Sequence, residues 1–225
     1  MAIVEFRDVY LSYNSYHYVF ESVNVKIPNI GITSVVANPG SGKTSFLKLI
    51  KGIIKPTRGR VIVMGSDISS ADKLKLMNIH SLVSIHFQDT FLISNVDVYN
   101  NLALPLLYNT DLSQVEIDKE IDRILDIFDI KSIKYEMPFN LSPSQAKLVS
   151  LARAFLKSPR IILLDEPFSS LDSYYRARLM EIMEDFREVS KIIFTTSDSV
   201  FIGISDSVVS IVDTENGKEV FLQMG

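Results

Sequence analysis

The stretch "GITSVVANPGSGKTSFLKLI", residues 31–50, constrains the fold more than any other part of the chain. An apolar run stops at "NPGSG", and an apolar-faced helical pattern starts at once from Lys43. That order reads as buried strand, tight loop and helix. Asn38, Pro39, Gly40, Ser41 and Gly42 form the loop, and Lys43, Thr44 and Ser45 open the helix. Backbone N–H groups in such a loop wrap a polyphosphate, a lysine there neutralises its outer groups, and the following hydroxyl binds Mg²⁺. Taken alone, the same residues also make an ordinary strand-to-helix turn. One position departs from the full glycine pattern: Ala37 stands where the first glycine belongs. If that residue must take positive φ, its Cβ costs about 1–2 kcal/mol.

Strand-like runs recur along the chain. Residues 2–12, 19–27 and 32–37, then "GRVIVMGSDI" and "SLVSIHF", carry the first half. From Ser113 the period changes to that of a helix. Ser113 with Glu116 spells a capping box, and Ile117, Ile121, Ile124, Leu125 and Phe128 fall on one face. Residues 89–140 therefore read as a largely helical insert. A helix from Ser142, the strand "RIILLDE", a helix from about Asp172, the strand "KIIFTT" and a strand pair near 207–222 complete the pattern. Strands alternating with helices predict an α/β domain with a mostly parallel sheet, whose ligands sit at the carboxyl ends of the strands.

Composition narrows the chemistry. With 47% apolar and 22% charged residues and a net charge of -4, the chain reads as an ordinary globular protein with no general attraction for nucleic acid, so no nucleic-acid partner is expected. It has no cysteine, which excludes disulfides and thiolate chemistry and fits a reducing compartment. "MAIVEFRDVYLSY" alternates like a strand and lacks the basic head and apolar run of a signal peptide. No apolar stretch approaches the ~20 residues that span a bilayer, so action at a membrane needs a partner to supply the membrane part.

"IILLDEP", residues 161–167, adds independent support for phosphate chemistry. A buried strand there delivers Asp165 to hold Mg²⁺ and Glu166 to take a proton from an attacking water. A strand ending in two solvated acids is the plainer reading of that run by itself. With the phosphate loop, "HFQD" around Gln88, "LSPSQ", "LARAF" and "EPFSSLD" ending at Asp172, all in this order, the chain resembles an ABC-type ATPase along essentially its whole length. These are the nucleotide-binding subunits of ATP-driven transporters. The resemblance implies a P-loop fold with an antiparallel N-terminal β portion. Residues 1–88 and 141–225 would form the ATP-binding core, and 89–140 an inserted helical subdomain.

It also implies ATP and Mg²⁺ as cofactors, with Thr44, Gln88 and Asp165 at the metal and Gln88 and Glu166 at the attacking water. A tyrosine stacks on adenine; Tyr13 holds the approximate place, with Tyr16 and Tyr18 competing. The partners implied are a transmembrane transporter subunit and a second ATPase, as homodimer or heterodimer. The location implied is cytoplasmic, peripheral on a membrane through that partner. "VDVYNNLALPLLYNTDLS" resembles the helical region of ATPases serving lipid or lipoprotein trafficking, Mla-type systems included.

Two departures weaken the expected turnover. The family's LSGGQ, which contacts the γ-phosphate held by the other subunit, reads "LSPSQ" here, so Pro143 and Ser144 replace both glycines. Ser142, Gln145 and Asp172 keep their nucleotide-binding places in the pattern. Locally, Ser142-Pro-Ser-Gln145 is also a complete helix start. The family's histidine after "IIFTT" is Ser197, which can hydrogen-bond but cannot carry an imidazolium's charge. An ATP-hydrolysing motor and a catalytically weak ATP-binding regulatory or structural module both fit these residues.

Overall fold

The computed structural model describes residues 2–14, 17–29, 31–214 and 217–224; Tyr16 lies outside them. In chain order the elements are β1 (Ala2–Ser12), β2 (Tyr18–Pro28), β3 (Ile32–Ala37), α1 (Lys43–Lys51), β4 (Arg58–Val63), β5 (Ser66–Asp67), α2 (Lys73–Leu82) and β6 (Val83–His86). There follow α3 (Val98–Asn109), α4 (Gln114–Ile127), α5 (Pro143–Phe155), β7 (Ile161–Leu164), α6 (Ser173–Phe186), β8 (Lys191–Thr196), β9 (Ser207–Thr214) and β10 (Gly217–Met224).

Two sheets result. The first is antiparallel, in the order β2-β1-β4-β5. The second has the order β10-β9-β3-β8-β7-β6, parallel throughout except for the β9–β10 edge pair. The fold is thus the mixed α/β arrangement the sequence implies: a mostly parallel core sheet with an antiparallel N-terminal portion.

Period-two alternation explains how one short strand serves two cores. Ile161 and Leu163 of β7 and Ile193 of β8 pack with Phe46, Leu47 and Ile50 of α1 and with the antiparallel sheet. Ile162, Leu164, Ile192 and Phe194 point the other way, into a cluster with α3, α4, α5 and α6. Central strands buried on both faces read as unbroken apolar runs, as "IILL" does. Ile117, Ile121, Ile124, Leu125 and Phe128 are all buried in that second cluster, and the Ser113 N–H donates to the Glu116 carboxylate at 2.8 Å.

One segment departs from the sequence reading. Ser81 and Leu82 close α2 instead of opening a strand, so "SLVSIHF" yields only Val83–His86 as β6. The Asp72 carboxylate accepts the Lys75 N–H at 2.8 Å and starts that helix, yet Ile79 alone of its residues is buried. Among the described residues no helix is long and apolar enough to cross a membrane.

Candidate nucleotide site

Strand β3 runs straight into the phosphate loop. Gly40 and Gly42 take φ of +80° and +98°, and the Ser41 N–H closes the turn on the Asn38 carbonyl at 3.2 Å. A Cβ on Gly42 would lie 2.7 Å from Val19 Cγ1 and 3.0 Å from Phe20 Cζ, so both conformation and space demand glycine there. Ala37 needs no such freedom. It ends β3 in extended backbone, outside the positive-φ residues, and its methyl group therefore carries no strain.

Lys43 curls back over the loop. Its Nζ donates to the Ala37 carbonyl at 2.8 Å and pairs with Glu166 Oε1 at 2.9 Å, leaving the residue 8% exposed. The Thr44 hydroxyl donates to Asp165 Oδ2 at 2.6 Å, and the Thr195 hydroxyl donates to Asp165 Oδ1 at 2.7 Å. Both carboxylate oxygens of Asp165 are thus held by hydroxyl donors. A hydroxyl and one carboxylate form the sparse donor set that Mg²⁺ takes when phosphates and waters complete its octahedron. The residues present therefore fit a magnesium polyphosphate.

Glu166 sits just past β7 with φ +46°, a left-handed conformation that costs a non-glycine residue about 1–2 kcal/mol. Its N–H donates to Thr195 Oγ1 at 2.8 Å, and the Ser197 hydroxyl donates to Glu166 Oε1 at 3.3 Å. An open cleft of about 490 Å³ brings together Pro39, Gly40, Gly42, Lys43, Thr44, Ser45, Gln88, Asp165, Glu166, Ser169 and Ser197.

The remaining sequence candidates lie elsewhere. Asn38 stays in the turn, and the Ser41 hydroxyl faces away to donate to Asp213 at 2.9 Å. Tyr13 is 61% exposed at the edge of the loop, with its hydroxyl 3.0 Å from Ser45 Oγ. Tyr18 packs edge-on against Tyr10 instead. Ser142 and Gln145 cap α5 reciprocally, Gln145 N–H to Ser142 Oγ at 3.2 Å and Ser142 N–H to Gln145 Oε1 at 2.9 Å. Asp172 caps α6 by accepting the Tyr175 N–H at 3.0 Å. None of these three lines the cleft that holds Lys43.

Sequence reasoning missed the floor of the site. Lys147 lies one turn into α5 and reaches beneath the cleft, where burial pushes its pKa down to about 8 against the pull of Asp165, Glu166 and Asp89. Its signal was a lysine embedded in the apolar run of a helix that buries Leu148, Val149, Leu151 and Ala152 around it. Beside it, His86 Nδ1 meets Ser150 Oγ at 2.9 Å, and burial, with Lys147 and Arg153 adding, holds that imidazole well below its ordinary range. His86 is therefore a core histidine and no replacement for the position held by Ser197.

A glycine loop, a buried lysine, a hydroxyl–carboxylate pair and a second acid at the carboxyl ends of parallel strands define a P-loop nucleotide-binding protein. A family model described as ABC transporter matches residues 20–169. The chain belongs to the ABC transporter family, whose ATP-binding domains use ATP with Mg²⁺.

Over 168 residues it is 34% identical to the "Probable ribonucleotide transport ATP-binding protein mkl" of Mycobacterium leprae, covering 74% of this chain and 48% of that protein. Over 210 residues it is 28% identical to the "Methionine import ATP-binding protein MetN" of Haemophilus ducreyi, covering 89% of this chain and 60% of that one. The chain spans about half the length of the curated relatives it matches.

Among solved structures, the dimeric ATP-binding cassette MJ0796 bound to ADP and Pi superposes with TM-score 0.88 at 24% identity, covering 98% of both chains. The cbiO1 protein of Clostridium perfringens, part of a cbiONQ transporter complex, gives TM-score 0.84 at 26% identity, covering 99% of this chain and 88% of that one.

Proposed function

We propose that the protein is the ATP-binding and ATP-hydrolysing subunit of a transporter, energising a separate membrane subunit. The observation that carries this reading is the convergence of Lys43, Thr44, Asp165 and Glu166 on one cleft from the loop after β3 and the end of β7. In this reading Lys43 and the loop N–H groups hold the phosphates, and Thr44, Asp165 and Gln88 would hold Mg²⁺, which would neutralise charge on the transferred group. Glu166 takes the proton of the attacking water, oriented by Gln88, and Ser197 steadies Glu166 by its hydrogen bond. Tyr13 stacks on the base.

The division of labour follows the same reading. Residues 1–88 and 141–225 form the ATP-binding core, with 89–140 as the helical subdomain. Ser142, Gln145 and Asp172 serve the nucleotide of a second subunit in a homodimer or heterodimer. Their placement outside the cleft supports this, because side chains that cap α5 and α6 cannot reach a phosphate held by their own Lys43. Docking to a membrane subunit places the protein on the cytoplasmic face. A lipid or lipoprotein cargo rests on "VDVYNNLALPLLYNTDLS" alone, and the relatives named for ribonucleotide, glucose and methionine transport show how widely cargo varies over this sequence range.

The weak-module reading draws on one observation: Ser197 offers a single 3.3 Å hydrogen bond where a cationic imidazole would add charge. Calorimetry with Mg-ATP and steady-state hydrolysis, on the protein alone and with its membrane subunit, separate the two. The motor reading expects turnover that rises with the membrane subunit, and ATP binding that Lys43→Ala nearly abolishes by deleting the phosphate charge. Equal affinity in parent and variant removes the reading altogether. Binding without turnover in the complex leaves the module.

A further inference from the structure

We propose that Lys147 is a positioning residue for the hydrolytic reaction: its ammonium clamps the main chain of Gln88 to that of Glu166 and so sets the spacing of the two side chains assigned to the attacking water. The proposal rests on the ATPase reading above.

The geometry is specific. Lys147 is 2% exposed, one of the largest fully buried side chains in the protein. Its Nζ donates to the Gln88 carbonyl at 3.0 Å, to the Glu166 carbonyl at 3.2 Å and to Ser169 Oγ at 3.3 Å. An ammonium has three donors and no acceptor, so every one is spent. The three acceptors come from the segment after β6 and from two places in the turn after β7, which no β-ladder joins at this point. Ser169 tightens the knot, donating both its hydroxyl, at 2.8 Å, and its N–H, at 3.2 Å, to the Glu166 carbonyl.

That carbonyl belongs to the residue held at φ +46°, so the bonds stabilise a backbone shape the chain would otherwise relax. The β6–β7 ladder ends at His86 and Leu164, with the Asp165 N–H on the His86 carbonyl at 2.9 Å. The Gln88 carbonyl bond to Lys147 carries the tie two residues further, to the turn that holds Glu166.

Folding alone does not call for a charge here. A methionine is close to lysine in length and would fill the same space without the cost of removing an ammonium from water. The charge instead supplies three directed bonds to two loops that must hold a fixed distance. Lys147 also sits two residues beyond Gln145, on the helix that Ser142 caps, and Ser144 Oγ donates to the Ser170 carbonyl at 3.0 Å. The start of α5 is therefore joined to the turn after β7 at two points, inside and out.

The test compares the parent with Lys147→Met, Lys147→Arg and Glu166→Gln, measuring kcat, KM and Mg-ATP affinity by calorimetry, with the folded fraction fixed by circular dichroism. Lys147→Met is expected to lower kcat at least tenfold while KM and affinity stay within about threefold, because no contact to the nucleotide is lost. Lys147→Arg, keeping charge and donors, is expected to recover at least fivefold of that loss. A residue that merely fills the core would instead lower the thermal midpoint and leave kcat per folded molecule unchanged. That result overturns the proposal, as does an Arg variant no better than the Met variant.

If Lys147→Met does not fold, Ser169→Ala removes one acceptor and the bonded hydroxyl with little change of volume. A threefold or greater fall in kcat at unchanged affinity is then expected, and unchanged kcat overturns the clamp. A parent no faster than Glu166→Gln overturns the ATPase reading and the clamp together. A working parent with a working Lys147→Met overturns the clamp alone.

Discussion

Lys43 Nζ and Glu166 Oε1 form an ion pair at 2.9 Å, with both side chains largely withdrawn from solvent. The cation assigned to the phosphates and the carboxylate assigned to the proton thus hold each other, and an incoming polyphosphate competes with Glu166 for the same ammonium. Glu166→Gln removes that competitor together with the proton acceptor. We expect the variant to bind Mg-ATP about fivefold more tightly, the scale of a partly exposed ion pair, and to lose turnover by about 10²–10⁴. Calorimetry and single-turnover hydrolysis check the two halves separately. Unchanged hydrolysis shows that the base has been misassigned.

The features legible in the sequence are those written in a few neighbouring residues. Buried strands appear as "ITSVVA", "IILL" and "KIIFTT", and the caps at Ser113 and Ser142 as a serine followed three places on by glutamate or glutamine. Helix α2 escaped because it buries only Ile79, and a helix without an apolar stripe has no period to detect. Contacts between distant segments were equally silent. Nothing near Ser41 announces Asp213, and nothing near Gln88 announces Lys147. The strain anticipated at Ala37 came from transferring a glycine pattern without its backbone angle, and here the strand simply continues through that residue.

Lys51 gives a pH dependence that concerns stability alone. Burial lowers its pKa from an ordinary 10.5 to about 8. Between those values the unfolded chain binds more protons than the folded one, so this group makes folding more favourable as pH rises from about 8 towards 10.5. Compared with Lys51→Met, the parent should gain on the order of 1–2 kcal/mol between pH 7.5 and 9.5. Denaturant melts of both proteins at the two pH values measure it. Parallel shifts in the pair contradict the assigned burial of the charge.

Docking of a membrane subunit is expected beside the segment that follows Gln88. Leu92 packs against the core, but Phe91 is 63% and Ile93 44% exposed, and Arg153 holds the Phe91 carbonyl at 3.2 Å with that residue at φ +44°. Two apolar side chains are thus presented outward on a backbone fixed from beneath. Phe91→Glu with Ile93→Glu should abolish co-purification with the membrane subunit while leaving the thermal midpoint and the ATPase of the isolated protein near parental values. Retained co-purification places the contact elsewhere.

The altered signature can be read by changing it back. Pro143 occupies the first position of α5, Ser142 and Gln145 cap each other, and Ser144 Oγ donates to the Ser170 carbonyl at 3.0 Å, so the stretch is a well-made helix start. Replacing Pro143 and Ser144 with glycine releases the proline's restraint on the unfolded chain, costing about 0.4–1 kcal/mol, and deletes a hydrogen bond of about 0.5–1.5 kcal/mol. The thermal midpoint should therefore fall by a few degrees, at ~2–4 °C per kcal/mol for a chain of this size. The same change restores a backbone donor and close approach for a phosphate on a second subunit. One charge-assisted bond of about 1.5–3 kcal/mol is worth roughly tenfold or more in rate if it forms in the transition state. We expect turnover of the complex with its membrane subunit to rise by that order while stability falls, and Ser197→His to add to it by returning a cation beside Glu166. Lower stability with unchanged turnover would make the stretch a helix cap and nothing more, because the glycines would then have loosened α5 without reaching any phosphate.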